Sequence, residues 1–385
     1  MNTYVAVNVS ALRHNVRQAL AHLQTGSCLL AVAKANGYGH GGLLAAQAFV
    51  EAGAAWLGVS TVAEGVVLRE AGFEVPVLAF LPPCGSDEVE ALVRHRLTGT
   101  LVAVSQLHDL ATVCQAQSLT ATCHIYVDCG LSRLGGNDSL PDMLEALRAF
   151  PMVAATGIYT HFGPPGSGVM LAELEFLRKG GAVKGFAGLA REAAVHVAGQ
   201  RLMVHAAASR LFLEDQGSHL DMVRLGTVLY GQYPDECGAS QLQLREDTFA
   251  LHSRIIAVQT VPAETAVGYG GEFVCRRETR IATVPVGVAQ GLEVVPKSVA
   301  ARPGTALRAY LAHREGRRGR HRHAPQAGVG GLEVPVVGRV SMDQCCLDVT
   351  DAPVAQIGSE VVLPTRRLMV SGLVPRVAVE DQPGD

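Results

Sequence analysis

Side chains that can bind anions or transfer protons follow several short apolar runs in the first 230 residues of this 385-residue chain. They are Lys34, Arg133, His161, His205, Ser209 and Arg224. A lysine directly after a buried strand, partly shielded from water and near other cations, has a lowered pKa and can attack a carbonyl carbon as a free amine. Because Lys34 follows the run CLLAVA, the sequence predicts Schiff-base chemistry there; a surface lysine beside a turn is the alternative.

The segments around Lys34 and Arg224 also suggest a phosphate site. In KANGYGHG the glycines let the backbone approach a ligand closely, and Tyr38 carries a hydroxyl that can bind a phosphate oxygen. In RLGTVLYG, Gly226 and its neighbours offer backbone N–H groups of the kind that hold phosphate after the last strands of a barrel.

The elements that must position these residues are eight short apolar runs with amphipathic segments between them. The runs lie near residues 28–33, 56–59, 75–80, 100–104, 122–128, 155–161, 202–206 and 221–224. One amphipathic segment has Ser10 as its predicted N-cap, and another ends at Gly72. Buried parallel strands are continuous apolar runs, and eight β/α units close a barrel. We therefore predict an α/β fold, a (β/α)8 TIM barrel with its site where the strands end; a doubly wound open sheet is the alternative.

The pattern changes after about Tyr233. Short segments rich in β-branched residues, separated by Gly and Pro, indicate an all-β second domain. The predicted domains are thus residues 1–232 for the barrel and 233–385 for the β domain. Within the second lies a basic run at 313–323, which we interpret as a solvated loop because no aromatic residues interleave it as a nucleic-acid platform would require.

The composition narrows the class of protein. A formal net charge of −3 provides no overall attraction to nucleic acid or to a membrane surface. The first residues lack the basic start and apolar core of a signal peptide, and no apolar run is long enough to cross a membrane. Nine cysteines, none in a CxxC pair, indicate reduced thiols. We expect a cytoplasmic protein without a metal site, a nucleic-acid partner or a membrane partner.

Six motifs together resemble those of the alanine racemases. They are KANGYGHG, DxGxxRLG around Asp128 and Arg133, IYTHF, MVRxGxxLYG, VGYGG and GRVSMDQ. Their order is the family's, and they extend over nearly the whole chain. The resemblance implies fold type III pyridoxal 5'-phosphate chemistry, a barrel followed by a β domain, and a homodimer whose sites are each built from both chains. The implied activity is interconversion of L- and D-alanine, which supplies D-alanine for peptidoglycan.

The resemblance also implies roles for individual residues. Lys34 matches the Schiff-base lysine, which is also the base for one face of the substrate, and Tyr269 matches the opposing base, which comes from the partner subunit. Arg224 matches the arginine at the pyridine nitrogen, and Arg133 matches the one near the phenolic oxygen and the substrate carboxylate. The remaining matches are His161 and His205 as hydrogen-bond links to Tyr269 and Arg224, Tyr38 and Ser209 at the phosphate, and the backbone N–H of Met342 at the substrate carboxylate.

The chain departs from the family pattern at several positions. Tyr126 replaces a lysine that many members carbamylate to steady the arginine matched by Arg133. Val288 and Gln290 stand in GVAQG where the family has GYADG, whose tyrosine lines the path by which substrate reaches the site. Gly372 stands where a phosphate-binding, pocket-narrowing tyrosine is expected. A serine or broader-specificity racemase, and a non-catalytic protein that binds pyridoxal phosphate, are therefore the alternatives.

Overall fold

The computed structural model describes residues 2–136, 138–162, 181–196, 202–234, 241–294 and 303–381. The chain divides into two compact units. The barrel unit comprises Val9–Gly37 and Gly42–Glu246, and the β unit comprises Met1–Asn8, Tyr38–Gly41 and Asp247–Asp385. Because the first strand, β1 (Tyr4–Asn8), lies in the β unit, numbering along the chain gives the barrel unit strands β2 to β9.

The described part of the barrel unit contains eight parallel strands that form a barrel. They are β2 (Cys28–Val32), β3 (Trp56–Val59), β4 (Val77–Ala79), β5 (Thr98–Leu101), β6 (Ala121–Tyr126), β7 (Val153–Tyr159), β8 (Met203–His205) and β9 (Met222–Leu225). The sheet runs β8-β7-β6-β5-β4-β3-β2-β9. The two ends of the sheet, β8 and β9, meet where the backbone N–H of Arg224 donates to the carbonyl of Ala207, just after β8, at 2.9 Å. This closure confirms the predicted barrel over the open sheet.

Helices alternate with these strands, as βα units require. They are α1 (Val9–His22), α2 (Gly42–Glu51), α3 (Val62–Glu70), α4 (Ser86–Arg94), α5 (Val104–Gln117), α6 (Leu140–Leu147), α7 (Gly181–His196) and α8 (Ser209–Glu214). Ser10, predicted as an N-cap, lies inside α1, because the helix follows β1 directly and begins at Val9. In α3, the Thr61 side chain caps the N–H of Glu64 at 3.2 Å, and the Glu64 side chain accepts from the Thr61 N–H in return.

The β unit is largely β, as predicted for residues 233–385. Its later strands are β10 (Phe249–Arg254), β11 (Ala257–Val261), β12 (Ala266–Val267), β13 (Phe273–Val274), β14 (Thr279–Val284), β15 (Gln326–Val329), β16 (Leu332–Val337), β17 (Cys345–Asp348), β18 (Glu360–Leu363) and β19 (Arg376–Val379). Nine described strands form one sheet in the order β11-β14-β17-β16-β15-β18-β10-β1-β19. The predicted division at residue 232 assigns β1 to the barrel, whereas β1 pairs on both sides with strands of the β unit.

A helix that the sequence analysis did not predict, α9 (Pro303–Gly316), lies within the β unit. Its last turn includes the first residues of the basic run 313–323, so the prediction of a loop throughout this run is wrong there. The segment PGTALRAYLAHREG has good helix formers after an initial proline, and this local preference was overlooked. None of the helices in the described ranges is long and apolar enough to cross a membrane.

Candidate active site

Lys34 lies two residues beyond the end of β2, at the end of the barrel where a TIM barrel carries its active site. Its Nζ atom lies 5.9 Å from the centre of the Phe80 ring. Burial lowers the pKa of the Lys34 ammonium, the charge of Arg133 lowers it further, and Glu64 opposes both effects. The free amine, which is the nucleophilic form, is therefore favoured here relative to a lysine in water.

The backbone after Lys34 follows a left-handed turn. The φ angles are 53° at Ala35, 52° at Asn36, 61° at Gly37 and 51° at Tyr38. Non-glycine residues lose about 1–2 kcal/mol each in this region, so surrounding contacts must hold the turn. One such contact is the Glu64 carboxylate, which accepts the N–H of Ala35 at 2.7 Å. The turn fixes the direction in which the chain leaves Lys34.

Arg224, in β9, is a buried cation with three described hydrogen-bond acceptors. One terminal nitrogen donates to Nδ1 of His205 at 2.9 Å, and the other donates to the carbonyls of Thr160 at 2.7 Å and Ala206 at 3.1 Å. The second ring nitrogen of His205, Nε2, lies 2.9 Å from Nδ1 of His124. Burial and the Arg224 charge hold the pKa of His205 well below its usual range and lower that of His124 to about 3. Both rings are therefore neutral at physiological pH.

Tyr159 forms a platform under this chain of hydrogen bonds. Its ring stacks on His205 with centroids 4.8 Å apart and an angle of 4°, and the Arg224 guanidinium carbon lies 5.1 Å from its centre. The Thr100 hydroxyl donates to a carbonyl in β4, so the Tyr159 hydroxyl donates to Thr100, at 2.8 Å. Tyr126 packs edge-on against Tyr159 at 5.1 Å. The aromatic pair thus restricts the orientations open to Arg224.

The positive side chains at this end of the barrel act on one another. His161 is partly buried, and burial, Arg224, Arg133 and Lys34 together lower its pKa to about 4. Arg133 itself is exposed. It follows a loop that begins at Asp128, whose carboxylate accepts two backbone N–H groups of the residues just before Arg133. A concentration of cations and neutral histidines suits an anionic ligand.

Two further contacts shape the same end of the barrel. Ser209 begins α8, and its hydroxyl accepts the N–H of Gly226 at 3.4 Å, so the two residues predicted at the phosphate are neighbours. Tyr230 is buried, and its hydroxyl donates to the carbonyl of Val32 at 3.0 Å. Because Val32 ends β2, this bond holds the strand from which Lys34 emerges.

Three predicted site residues belong to the β unit. The Tyr38 ring has the Arg367 guanidinium carbon 5.9 Å from its centre, and burial raises the pKa of its hydroxyl. Gly39 follows at φ 90°, and a Cβ atom there would lie 2.2 Å from the Arg367 carbonyl oxygen, so only glycine fits. Tyr269 and Met342 are each 70% exposed. Both residues are therefore accessible in a single chain.

The departures from the family pattern have distinct surroundings. The Tyr126 hydroxyl is buried and has no hydrogen-bond partner among the described residues, and burial raises its pKa to about 12. Val288 is 43% exposed, and the Gln290 side chain accepts the N–H of Gly287 at 2.8 Å. A Cβ atom at Gly372 would meet no described atom within 4 Å.

Four residues of the barrel end were missed by the sequence analysis. They are Glu64, His124, Tyr159 and Tyr230. For His124 a signal existed, because it is two residues from Tyr126 and alternate residues of a strand share a face. Glu64 and Tyr230 form hydrogen bonds with backbone groups of residues near Lys34, although both are distant from Lys34 in the sequence. No local sequence pattern indicates such contacts.

The fold and this site define a barrel protein with a partly buried lysine of lowered pKa after its first barrel strand and a second, largely β unit. The chain matches the family models for the alanine racemase N-terminal domain over residues 7–234 and the alanine racemase C-terminal domain over residues 248–371. The chain belongs to the alanine racemase family and is an isomerase. The family resemblance seen in the motifs is thereby confirmed.

Individual relatives are similar over almost their whole length. An alanine racemase of Desulfovibrio desulfuricans is 32% identical over 366 residues, which cover 94% of this chain and 88% of that protein. The structure of the alanine racemase of Clostridium difficile has a TM-score of 0.80 at 22% identity and covers 99% of this chain and 96% of that chain. The structure from the D-cycloserine producer Streptomyces lavendulae has a TM-score of 0.77 at 26% identity and covers 99% of this chain and 98% of that chain.

Proposed function

We propose that this chain is a pyridoxal 5'-phosphate-dependent racemase that interconverts L- and D-alanine in the cytoplasm and supplies D-alanine for peptidoglycan. The observation that carries the proposal is the position of Lys34 at the end of the barrel, where burial and the charge of Arg133 lower its pKa. The amino-acid substrate follows from the family and from the name of the Desulfovibrio desulfuricans relative, to which the chain is 32% identical.

The residues present fit this cofactor. Lys34 would hold its aldehyde carbon through Nζ, and Ser209 with the N–H of Gly226 would hold its phosphate together with Tyr38. Arg224 would hold the ring nitrogen as a donor that does not give up its proton at working pH, because an arginine side chain stays charged. Arg133 would hold the phenolic oxygen and the substrate carboxylate. When bound, the cofactor withdraws electrons from the substrate Cα and so acidifies its proton.

Racemisation requires that a proton leave one face of the substrate Cα and that another arrive on the opposite face. In the proposed mechanism Lys34 Nζ takes or returns the proton on one face, and the Tyr269 hydroxyl of the partner subunit does so on the other. Burial lowers the pKa of the Lys34 ammonium, which favours the basic amine relative to a lysine in water. Arg224 donates a hydrogen bond and no proton, so charge on the reacting carbon stays short-lived and side reactions are limited. His161 would link Tyr269 to this network. The N–H of Met342, also from the partner, would bind the substrate carboxylate.

The test of this proposal uses the purified full chain supplied with pyridoxal phosphate. We expect a yellow protein and a time-dependent change of circular dichroism with L-alanine in a panel of L-amino acids. Lys34→Ala should be colourless after dialysis. A wild type that stays colourless after reconstitution would overturn the assignment. Full occupancy without exchange of the α-proton in deuterated water would show a cofactor-binding protein that does not racemise.

Serine is a second candidate substrate. The supporting observation is Gly372, where the family pattern has a tyrosine and where a Cβ atom would meet open space. A pocket that lacks this wall discriminates less against an added hydroxyl, and such discrimination is worth only about 1–3 kcal/mol in apolar sites.

A further inference from the structure

The hydrogen bonds from Arg224 through His205 to His124 can run in only one direction. A guanidinium nitrogen is always a donor, so Nδ1 of His205, at 2.9 Å, must be the acceptor. The proton of neutral His205 is then on Nε2, which donates to Nδ1 of His124 at 2.9 Å. His124 must in turn carry its own proton on its Nε2. Each ring therefore has one defined tautomer.

The surroundings of His124 make a histidine at this position unfavourable for the stability of the fold. The ring is fully buried, and its Nε2 has no hydrogen-bond partner among the described residues. An unpartnered buried donor is unfavourable, and an apolar side chain would avoid it. His124 pairs in register with Gly157 on β7, and a Cβ atom at Gly157 would lie 2.8 Å from the ring. Glycine at position 157 of β7 therefore leaves the space that the His124 ring occupies.

We propose that His124 is a positioning residue that acts through His205: by accepting the Nε2 proton it keeps Nδ1 of His205 free to accept from Arg224. If the His205 proton moved to Nδ1, two donors would face each other across 2.9 Å, and Arg224 would keep only its bonds to backbone carbonyls. The consequence for catalysis rests on the proposed function, because it requires Arg224 at the cofactor ring. The tautomer of His205 does not depend on that assignment.

The test compares two substitutions of similar shape that differ in the acceptor. In His124→Asn the side-chain oxygen occupies the position of Nδ1 and can still accept; in His124→Leu a methyl group stands there. The purified full chain, with histidines labelled with 15N, is examined by long-range proton–nitrogen NMR. We expect the His205 tautomer protonated on Nε2 in the wild type and in His124→Asn, and a mixture of tautomers in His124→Leu. Turnover of alanine by His124→Leu should fall roughly 5- to 100-fold in kcat/KM, with substantial recovery in His124→Asn.

Gly157→Ala provides a second route to the same test, since it displaces the His124 ring without removing it. Ile125→Val, the neighbouring residue on β6, is the control for a general loss of packing and should leave the tautomer unchanged. If His205 keeps its tautomer in both His124→Leu and Gly157→Ala, the proposal is overturned. If His124→Leu does not fold, Gly157→Ala decides alone. A wild type that shows the expected tautomer but binds no pyridoxal phosphate would contradict the proposed function and leave the positioning role intact.

Discussion

The buried histidines should make the barrel unit sensitive to acid. His124 has its pKa lowered to about 3 and His161 to about 4, both first by burial and then by Arg224. In the unfolded chain each returns to the ordinary value of 6.5. Below that value the unfolded state binds protons that the folded state does not, so the free energy of unfolding decreases as the pH decreases. The stability that these neutral rings contribute is complete above about pH 6.5 and is lost towards pH 3–4.

The size of the effect follows from the two pKa values of each group. Between pH 7 and pH 5, a histidine that shifts from 6.5 in the unfolded state to 4 or below in the folded state removes about 2 kcal/mol from the free energy of unfolding. Two such histidines remove about 4 kcal/mol, a large part of the stability of an ordinary domain. His124→Asn deletes one of them. We therefore expect the variant to lose about 2 kcal/mol less than the wild type over the same pH interval.

Urea unfolding of the purified full chain at several pH values measures this difference. Trp56, the single tryptophan, has its ring 5.4 Å from that of His124, so its fluorescence reports on the region concerned. Ile125→Val should lower stability equally at every pH, because it removes a buried methyl group and no titratable one. Equal pH dependence in the wild type and in His124→Asn would refute the reasoning that burial keeps this ring neutral.

Three further outcomes are expected. Tyr269→Phe should retain the yellow cofactor but lose most racemase activity. Mixing the Tyr269→Phe protein with the Lys34→Ala protein should restore part of the activity, because a mixed dimer contains one site with both residues. No rescue despite subunit exchange would argue against a shared site. Gly372→Tyr should raise the ratio of kcat/KM for alanine to kcat/KM for serine. The control Gly304→Tyr, at an equally open position in α9, should leave this ratio unchanged. Equal ratios in the wild type and in both variants would exclude Gly372 from the pocket. Gly39→Ala should destabilise the fold by more than about 1 kcal/mol, because its Cβ would overlap a backbone oxygen, and an unchanged midpoint of unfolding would contradict this.

Much of the barrel was predictable because its strands are buried on both faces. Strand β4 is buried throughout, and β2 and β3 are buried at every residue but the first, which produces the continuous apolar runs by which they were recognised. The position of β1 was not predictable in this way. Its three central residues are all buried, as in the barrel strands, and the choice between pairing with the barrel and pairing with β10 depends on residues more than 240 positions away.

Lys34 and Arg224 could be predicted as candidate site residues from their own strands, because Lys34 follows β2 and Arg224 lies near the end of β9. Contacts between strands could not be predicted, because single-sequence patterns do not reveal register. Tyr126, Tyr159 and His205 are direct neighbours on β6, β7 and β8, and this register creates the stacked platform. The sequence motifs identified Tyr126 only as a replacement for the lysine that many family members carry. Its ring supports Tyr159, a role that a comparison of motifs alone does not indicate.

Strand β1 has a consequence for how the protein is made. It lies between β10 and β19, so after its synthesis it must wait for residues 249–254 and then 376–379 before both of its edges are paired. At about 5–20 residues per second, the ribosome needs roughly 12–50 s to reach the first of these partners. Throughout that interval the nascent chain carries an unpaired strand edge, which chaperones can bind and with which other nascent chains can pair.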